Sequence, residues 1–350
     1  MNKRDILIRH IRGKKVFLGT HWDADGVCSG ALIYHLIKDH AKEVQTASKG
    51  ELFLIQKEDI KGNPDIIICT DIHPSAELDP KKVIYIDHHP AEGNEEYLMA
   101  IHDEKTQSCT LLIWHELLQG IKDPYMIFLT LIGYFGDKGN REEIPLDLQI
   151  LANDLLKVKT AFGEHNLMER KQSFYEEGYY YEIERYVSSL NSGKRMDWTG
   201  DVPLELLKCI DNFKPFIYNY HPIAQQLKEY RFLLRELYST KIKIKDAGEI
   251  QYALINSDKN IQGVLCAKNM KDKPLMVINR RNGKAIASMR VPDNLDFDAG
   301  KFLESFNQQI PSFTGGGHEK AAGLTLDYKD LDLFLSMLEG SQTKDAVLAR

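Results

Sequence analysis

The stretch Val16-Phe17-Leu18-Gly19-Thr20-His21-Trp22-Asp23-Ala24-Asp25-Gly26 joins a short apolar run to a cluster of acids and histidine. Two later apolar runs end in the same way, Ile66–Thr70 before Asp71-Ile72-His73 and Val83–Ile86 before Asp87-His88-His89. Such short β-branched runs are typical of buried strands in a parallel sheet, and open α/β sheets bind ligands beyond the carboxyl ends of these strands. We therefore expect three strands to bring carboxylates and imidazoles to one edge of a sheet.

Helical patterns alternate with these strands. After Gly26, apolar residues recur at helical spacing from Ala31 to Ile37, and a second amphipathic helix is predicted over Thr110–Leu118. The run Tyr125–Tyr134 is too long and too poor in β-branched residues for a strand, so we predict a buried helix that ends near Asp137. The alternation indicates an α/β fold in which helices cover a parallel sheet.

The chain is expected to fold in three parts. Residues 1–145 are predicted to form the parallel-sheet domain, and residues 146–240, with their long charged helical patterns, a helical connector or inserted subdomain. Strand patterns return at Tyr252–Ile255, Leu275–Asn279 and Ala285–Met289. Helical patterns follow after Asp298 and near the C-terminus, so residues 241–350 are predicted to form a smaller α/β domain.

Composition favours a globular enzyme of the cytoplasm. The chain has 350 residues, of which 43% are hydrophobic and 27% charged, and this is enough for two ordinary domains. No run of about 18 apolar residues and no signal peptide is visible, so neither membrane insertion nor secretion is expected. The five cysteines form no CxxC pair, which disfavours a disulfide framework and a zinc-thiolate site.

The net charge of -6 is unevenly distributed along the chain. The segment Lys241–Arg290 has eleven basic and four acidic residues, a balance of +7 that leaves -13 for the remainder. A basic domain attracts a polyanion, while clustered carboxylates gather divalent cations. A solvated, lysine-rich face on the last domain explains the same charge count equally well.

The acids and histidines at the strand ends match the ligand preferences of magnesium and manganese. Both ions take carboxylate oxygens, and an imidazole tilts the preference towards manganese. The candidate ligands are His21, Asp23, Asp25, Asp71, His88 and Asp137. Asp71, on the middle run, is the natural bridge between two metal ions. Two metal ions held about 3.5 to 4 Å apart are suited to the hydrolysis of a phosphoester. Taken alone, Asp71 is more often a turn residue and Asp137 a surface acid, and the complete set is what favours ligation.

Four N-terminal motifs and two C-terminal ones carry a family resemblance. The first group comprises His21-x-Asp23-x-Asp25-Gly26, Asp71-x-His73, Asp87-His88-His89 and Gly136-Asp137. The second group comprises Ser288-x-Arg290 and Gly315-Gly316-Gly317-His318-x-x-Ala321-Ala322-Gly323. In this order they resemble the DHH phosphoesterase superfamily, specifically its RecJ-like branch with a C-terminal DHHA1 domain, of the archaeal type. The middle segment matches no part of this pattern.

The resemblance implies two divalent ions, Mn²⁺ in preference to Mg²⁺. One ion is expected on residues His21, Asp23 and Asp71, and the other on Asp25, Asp71, His88 and Asp137. His89 is expected to face the substrate phosphate. Asp87 is expected to orient a histidine, as metal-bound imidazoles usually require. Asp87, His89 and His318 are the expected catalytic residues.

The last domain is expected to bind the substrate. Backbone N–H groups of Gly315-Gly316-Gly317 can approach a phosphate closely, and we expect a helix to follow with His318 at its mouth. Arg290 offers a planar fork for a phosphate, and Arg280 is similarly placed after an apolar strand. Without the resemblance, a flexible glycine turn is the simpler interpretation.

These features predict an exonuclease that releases nucleoside monophosphates from an end of single-stranded DNA or RNA, in DNA repair or replication. Basic residues of the middle segment, such as Lys194 and Arg195, can extend the strand path or simply pack helices. Full-length bacterial RecJ proteins carry an additional OB-fold, for which 350 residues leave no room. An oligoribonuclease (nanoRNase) or a cyclic-dinucleotide phosphodiesterase acting on short substrates is therefore an alternative.

Two further alternatives remain open at this stage. Pyrophosphatase relatives share the first domain but lack the triple glycine and histidine of the second. A replisome scaffold with residual nuclease activity is the non-enzymatic alternative, and a replication partner of the GINS type is implied by resemblance only. The sequence does not indicate the polarity of digestion, the choice between DNA and RNA, or the oligomeric state.

Overall fold

The computed structural model describes residues 2–51, 53–90, 96–137, 144–161, 163–172 and 179–348. The chain divides into two compact units, Met1–Phe232 and Leu233–Arg350. The division into three parts at residues 145 and 240 stays a prediction. No helix among the described residues is both long enough and apolar enough to cross a lipid bilayer.

The first unit alternates strands and helices, as predicted. In chain order its elements are α1 (Lys3–Ile11), β1 (Lys15–His21), α2 (Ala24–Ile37), β2 (Glu43–Lys49), β3 (Leu54–Ile55), β4 (Ile66–Thr70), β5 (His73–Pro74), β6 (Val83–Asp87), β7 (Met99–His102), α3 (Cys109–Leu117), α4 (Pro124–Asp137), α5 (Leu146–Leu155), β8 (Lys157–Thr160), β9 (Gly163–Asn166), β10 (Arg170–Gln172), β11 (Tyr179–Tyr181), α6 (Val187–Asp197), α7 (Asp201–Cys209), α8 (Lys214–Ile217) and α9 (Pro222–Leu237). The three predicted strands and the helices α2, α3 and α4 are confirmed.

A five-stranded parallel sheet organises this unit, with the strand order β2-β1-β4-β6-β7. From β1 the chain adds β2 on one side and β4 on the other, so the strand order reverses between β1 and β4. Open α/β sheets bind their ligands at this switch point, outside the carboxyl ends of the strands. β1 ends at His21 and β4 at Thr70, directly before Asp71. The topology therefore brings the first two sequence motifs to the switch point.

Burial explains the apolar composition of these elements. β4 and β6 are buried at every residue, as expected for inner strands covered on both faces. The helix α2 is buried over most of its length because α3, α4 and α7 pack around it. One continuous core joins α2, α3 and α4 to apolar residues of the middle segment, including Leu167, Leu190 and Phe216.

The middle segment differs from the helical prediction. Between Lys157 and Tyr181 it forms two antiparallel pairs of short strands, β8 with β9 and β10 with β11. These strands are only three or four residues long and mostly polar, so they lack the apolar alternation by which a strand is recognised. Tertiary burial of a few residues, such as Val158 and Tyr181, stabilises them. The remainder of the segment is largely helical, as predicted.

The second unit is a sheet with helices. Its elements are β12 (Ile244–Ala247), β13 (Ile250–Ile255), α10 (Gln262–Asn269), β14 (Leu275–Arg281), β15 (Lys284–Arg290), α11 (Ala299–Glu304), β16 (Thr314–Gly317), β17 (Ala321–Asp327) and α12 (Leu331–Leu348). The sheet order is β12-β13-β14-β15-β17-β16, and only β13 and β14 pair in parallel. The three predicted strands lie within β13, β14 and β15, and the predicted helices correspond to α11 and α12.

The glycine-rich element has a different structure from the one predicted. Gly315-Gly316-Gly317 lies in β16, an edge strand paired with β17, and the residues after His318 form β17 instead of the expected helix. The physical reason is the alternation in Ala321–Asp327, which buries Ala322, Leu324 and Leu326 on one face of the sheet. The expectation of a helix N-terminus at His318 is therefore wrong.

Replacement of Gly133 tests how tightly α4 packs against α2 and α3. A Cβ at Gly133 would lie 2.3 Å from Cγ2 of Thr110 and 2.7 Å from Oδ1 of Asp25. We expect Gly133→Ala to lower the free energy of unfolding by about 2 kcal/mol despite its better helix propensity. Urea denaturation followed by circular dichroism measures the change.

Gly340→Ala is the matched control, since it also lies in a helix but has no atom within 4 Å of the added Cβ. It should leave stability unchanged or raise it by roughly 0.5 to 1 kcal/mol. Equal effects of the two substitutions would contradict the tight packing of α4.

Candidate metal centre

The turn between β1 and α2 sets the first acids of the site. Asp23 is the N-cap of α2, and its side chain accepts a hydrogen bond from the N–H of Gly26 at 3.1 Å. A Cβ at Gly26 would lie 2.3 Å from the carbonyl oxygen of His21, so only glycine permits this close approach of helix and strand. The motif His21-x-Asp23-x-Asp25-Gly26 therefore encodes a tight strand-to-helix turn as well as the acids.

Asp25 is fully buried against the N-terminus of α3. Its carboxylate accepts hydrogen bonds from the N–H of Cys109 at 2.6 Å and from the N–H and hydroxyl of Thr110 at 3.0 and 2.7 Å. Burial, together with the charges of Asp71 and Asp137, raises the pKa of Asp25 well above its usual value. A bound cation reverses this effect, because it neutralises the charges that repel each other.

Asp71 lies at the centre of the site in a left-handed backbone conformation, with φ at 59°. Its Oδ2 is 3.6 Å from Nδ1 of His21, and its Oδ1 is 3.4 Å from Nε2 of His88. The side chain thus has one oxygen on each side of the site. Aspartate tolerates this conformation better than most residues, and strain of this kind concentrates at functional sites.

His88 is oriented by a contact on its other nitrogen. Nδ1 lies 3.1 Å from the carbonyl oxygen of Thr106, and since a carbonyl only accepts, Nδ1 carries the proton. Nε2 faces carboxylates, with Oδ2 of Asp137 at 3.0 Å and Oδ1 of Asp71 at 3.4 Å. This arrangement, in which a backbone carbonyl fixes the tautomer, is typical of metal-binding histidines.

Asp137 is the last residue of α4, at the position predicted from the glycine-flanked helix end. Its Oδ2 and Oδ1 of Asp71 are buried and, among the described residues, have no hydrogen-bond donor apart from the ring of His88. Buried carboxylate oxygens without a donor are costly. A divalent cation would satisfy both oxygens, so the residues present fit such an ion.

Asp87 organises the turn that carries the two histidines. Its Oδ1 accepts from the N–H groups of His88 and His89 at 2.7 and 3.1 Å and lies 2.8 Å from Nδ1 of His89. Burial opposes ionisation, but the hydrogen bonds and charge of His89 outweigh it and hold the pKa of Asp87 well below its usual range. Asp87 thus acts as the hydrogen-bond acceptor that orients His89.

The candidate ligand atoms form groups in which all atoms lie within 4.8 Å of one another. One group is His21, Asp23 and Asp71, and another is Asp25, His88 and Asp137. A third comprises Asp71, Asp87, His88 and His89. All six residues predicted as ligands fall into the first two groups, and Asp71 contacts both. The structure therefore brings the six predicted residues together as groups that could hold a metal ion.

Two side chains near His21 were not predicted at this place. Nζ of Lys194, from α6, lies 3.5 Å from Oδ2 of Asp23, although the sequence indicated only a strand path or helix packing for this lysine. The ring of Phe53 stacks on that of His21 with centroids 6.0 Å apart, and Phe53 is 40% exposed. Both residues lie far from the motifs in sequence and only the fold brings them here.

The second unit brings some of its predicted residues together. Arg290 pairs with Ala321 and Gly317 with Ala322, so Arg290 and the element Gly315–His318 lie at the same end of the sheet. Arg280 lies on β14 and pairs with Ala285, whereas Arg290 pairs with Leu275, five residues earlier on β14. The two arginines are therefore about 16 Å apart along the sheet. Arg280 donates to Oδ1 of Asn256 at 2.7 Å. The structure thus separates Arg280 from the other predicted substrate-binding residues.

Two family models match the chain. The N-terminal domain of the DHH family matches residues 15–135, and the DHHA1 domain matches residues 250–343. The two matches together cover more than half of the chain, and they coincide with the parallel sheet and the mixed sheet described above. The chain belongs to the DHH family and carries a DHHA1 domain.

Solved structures share this fold. RecJ from Thermus thermophilus in complex with Mn²⁺ is 16% identical, with a TM-score of 0.62 over 98% of this chain and 54% of that chain, and its complex with Mg²⁺ gives a TM-score of 0.57. CDC45 from Entamoeba histolytica is 10% identical, with a TM-score of 0.51 over 96% of this chain and 98% of that chain. This chain therefore spans about half the length of RecJ. No protein of curated function matches the sequence.

Metal binding is expected to release protons. Burial lowers the pKa of His21 and His88, but the neighbouring carboxylates outweigh it and raise these pKa values to about 10 and about 12. Both imidazoles are therefore protonated at neutral pH in the metal-free protein, and each must lose its proton to bind an ion. The affinity for Mn²⁺ should rise steadily from pH 6 to pH 9.

Isothermal titration calorimetry in two buffers of different ionisation enthalpy counts the released protons. His40→Gln, which changes an exposed histidine outside the site, is the control and should leave the count unchanged. An affinity that does not change with pH would show that these imidazoles are not ligands.

Proposed function

We propose that this protein is a metal-dependent phosphodiesterase that acts as an exonuclease on single-stranded nucleic acid and releases nucleoside monophosphates. The observation that carries the proposal is the position of Asp71, with one oxygen near His21 and the other near His88. A carboxylate in this position can bridge two ions, which is the requirement for two-metal hydrolysis of a phosphodiester.

The proposed ligands divide between two sites that share Asp71. The first consists of His21, Asp23 and Asp71, and the second of Asp25, Asp71, His88 and Asp137. When bound, two divalent ions activate a water molecule and stabilise the leaving oxygen. The imidazole in each site favours Mn²⁺ over Mg²⁺.

The protein's own groups position the reacting phosphate. The side chain of His89 is 28% exposed, and its Nδ1 is engaged by Asp87, so a substrate phosphate would contact it through Nε2. Lys194 supplies a positive charge 3.5 Å from Asp23 and can offset the negative charge of the phosphate. Phe53 offers an exposed aromatic face on which a base of a single strand can stack.

The second unit is proposed to bind the end of the nucleic-acid strand. Arg290 can donate two parallel hydrogen bonds to a phosphate. Along the edge strand β16, the backbone of Gly315 is bonded to Asn307 and the ring of Phe313 lies against it, whereas a Cβ at Gly316 would meet no described atom closer than Glu304 at 3.5 Å. A ligand can therefore approach the backbone most closely at Gly316. His318, in the turn that follows, can donate to a phosphate oxygen.

Short oligonucleotides are the second candidate substrate, with a cyclic dinucleotide among them. The specific observation is that the proposed binding group, Arg290 with Gly315–His318, occupies one end of one sheet. A site of that extent can read a terminal nucleotide without holding a long strand. A replisome scaffold, with a GINS-type replication protein as partner, fits less well because all six proposed ligands are present.

Substrate length is tested with end-labelled DNA and RNA of two to thirty nucleotides and with cyclic dinucleotides, each in Mn²⁺ and in Mg²⁺. A ladder of mononucleotides released from one end of long strands supports the exonuclease. Cleavage restricted to two- to five-mers supports the oligonucleotidase instead. No hydrolysis of any phosphodiester, with binding of divalent metal intact, would overturn the proposed function.

Asp71→Asn should abolish hydrolysis. The amide keeps the size of the side chain but removes the charge that bridges the two ligand groups, so we expect turnover to fall at least about 100-fold. Asp39→Asn, which changes an exposed acid, is the matched control and should retain full activity. Circular dichroism verifies the fold of both variants, and near-normal turnover by pure Asp71→Asn protein would rule out the bridging role.

Arg290 and Arg280 are expected to differ in their effect on substrate binding. Arg290→Gln and His318→Ala should each raise KM about tenfold, because one charge-assisted hydrogen bond contributes about 1.5 to 3 kcal/mol. Arg280→Gln should leave KM unchanged, since Arg280 lies at the opposite end of the sheet. Steady-state kinetics on a labelled oligonucleotide measures the three values. A larger effect of Arg280→Gln than of Arg290→Gln would contradict the proposed location of the binding site.

A further inference from the structure

A buried tyrosine lies directly behind the turn that carries His89. Tyr85 is 3% exposed and precedes Asp87 by two residues on β6, so the two side chains lie on the same face of the sheet. Its hydroxyl donates to Oδ2 of Asp87 at 3.1 Å. The other oxygen of Asp87 contacts Nδ1 of His89 at 2.8 Å. The carboxylate thus connects the tyrosine hydroxyl to the imidazole.

The direction of each hydrogen bond follows from its partners. Burial and the charge of Asp87 raise the pKa of Tyr85 far above its usual value, so the hydroxyl keeps its proton. That proton goes to Asp87, which as a carboxylate only accepts. Nδ1 of His73 lies 2.9 Å from the same hydroxyl oxygen and must therefore donate to it. Asp87 in turn accepts the Nδ1 proton of His89.

Two further histidines hold the tyrosine ring in place. The ring of His73 stacks on Tyr85 at 5.6 Å between centroids, and that of His102 stacks on it at 5.9 Å. Nε2 of His102 also lies 2.7 Å from the carbonyl oxygen of His89. His102 therefore contacts both the ring of Tyr85 and the backbone of the turn.

We propose that Tyr85 is a positioning residue that acts through Asp87 and holds the His89 imidazole in one tautomer and one orientation. Without the hydroxyl, Oδ2 of Asp87 loses its donor, and the carboxylate can rotate away from Nδ1 of His89. The imidazole can then flip, and Nε2 no longer meets the phosphate in a constant geometry. The kinetic consequence rests on the proposed function, whereas the tautomer of His89 does not.

Tyr85→Phe tests this inference against Tyr125→Phe. Tyr125 is also 3% exposed, and its hydroxyl donates to the carbonyl oxygen of Leu207 at 2.6 Å. Tyr125→Phe removes one buried hydrogen bond, whereas Tyr85→Phe removes two, one to Asp87 and one from His73, so Tyr85→Phe should destabilise the protein more. Only Tyr85→Phe should lower kcat, by about tenfold, with KM and Mn²⁺ affinity unchanged.

A double-mutant cycle with His89→Gln shows whether the effect passes through His89. In the His89→Gln background, Tyr85→Phe should cause no further loss of kcat, because the group that it positions is absent. Equal, independent losses in both backgrounds would overturn the inference, as would equal kcat values for Tyr85→Phe and Tyr125→Phe.

A readout without catalysis separates this inference from the proposed function. Nitrogen-15 NMR of the Mg²⁺-loaded protein, assigned with His89→Gln, should show a Nδ1 proton of His89 that Asp87 protects from exchange with water in the wild type, and faster exchange of that proton in Tyr85→Phe. This result supports the positioning role even if no phosphodiester is hydrolysed. An unchanged His89 spectrum in Tyr85→Phe overturns it whether or not the enzyme is active.

Discussion

Repulsion between buried carboxylates is the constraint on which the first unit depends. Asp25 and Asp71 are buried and Asp137 is half-buried beside them, and in such surroundings like charges repel strongly. Hydrogen-bond donors at the N-terminus of α3 offset part of the repulsion at Asp25. The protonated rings of His21 and His88 offset a further part of the repulsion between the carboxylates. The same repulsion makes the cluster suited to divalent cations. The α3 donors and the two imidazoles neutralise the carboxylates only in part, and a cation would neutralise the remainder.

The parallel sheet positions this cluster by its strand order. Because the order reverses between β1 and β4, the side chains that follow these strands meet at one point. The left-handed conformation of Asp71 directs its carboxylate between the two ligand groups. After the neighbouring strand β6, the carbonyl of Thr106 orients the ring of His88 and the carboxylate of Asp87 orients that of His89. Ligand geometry thus depends on residues that do not contact the site itself.

Sequence patterns predicted the helices and strands correctly wherever the spacing of the apolar residues matches the buried face of the element. The inner strands are continuous apolar runs and α2 and α4 carry long apolar patterns, so both were predicted correctly. The short strands between Lys157 and Tyr181 have no such pattern. β17 was mistaken for a helix because the alanines and glycine at its start hide the alternation of apolar and polar residues that marks a strand. In both places the pairing partner, which is remote in sequence, stabilises the strand.

The amino-acid sequence was sufficient to name the six candidate ligands and the family, because ligand chemistry depends on residue type and on order along the chain. It could not show that Lys194 and Phe53 lie beside His21, that Arg280 and Arg290 lie at opposite ends of a sheet, or that Tyr85 donates to Asp87 behind the His89 turn. These relations arise from strand register and helix packing. Both depend on contacts between residues distant in sequence, and a local pattern carries no record of them.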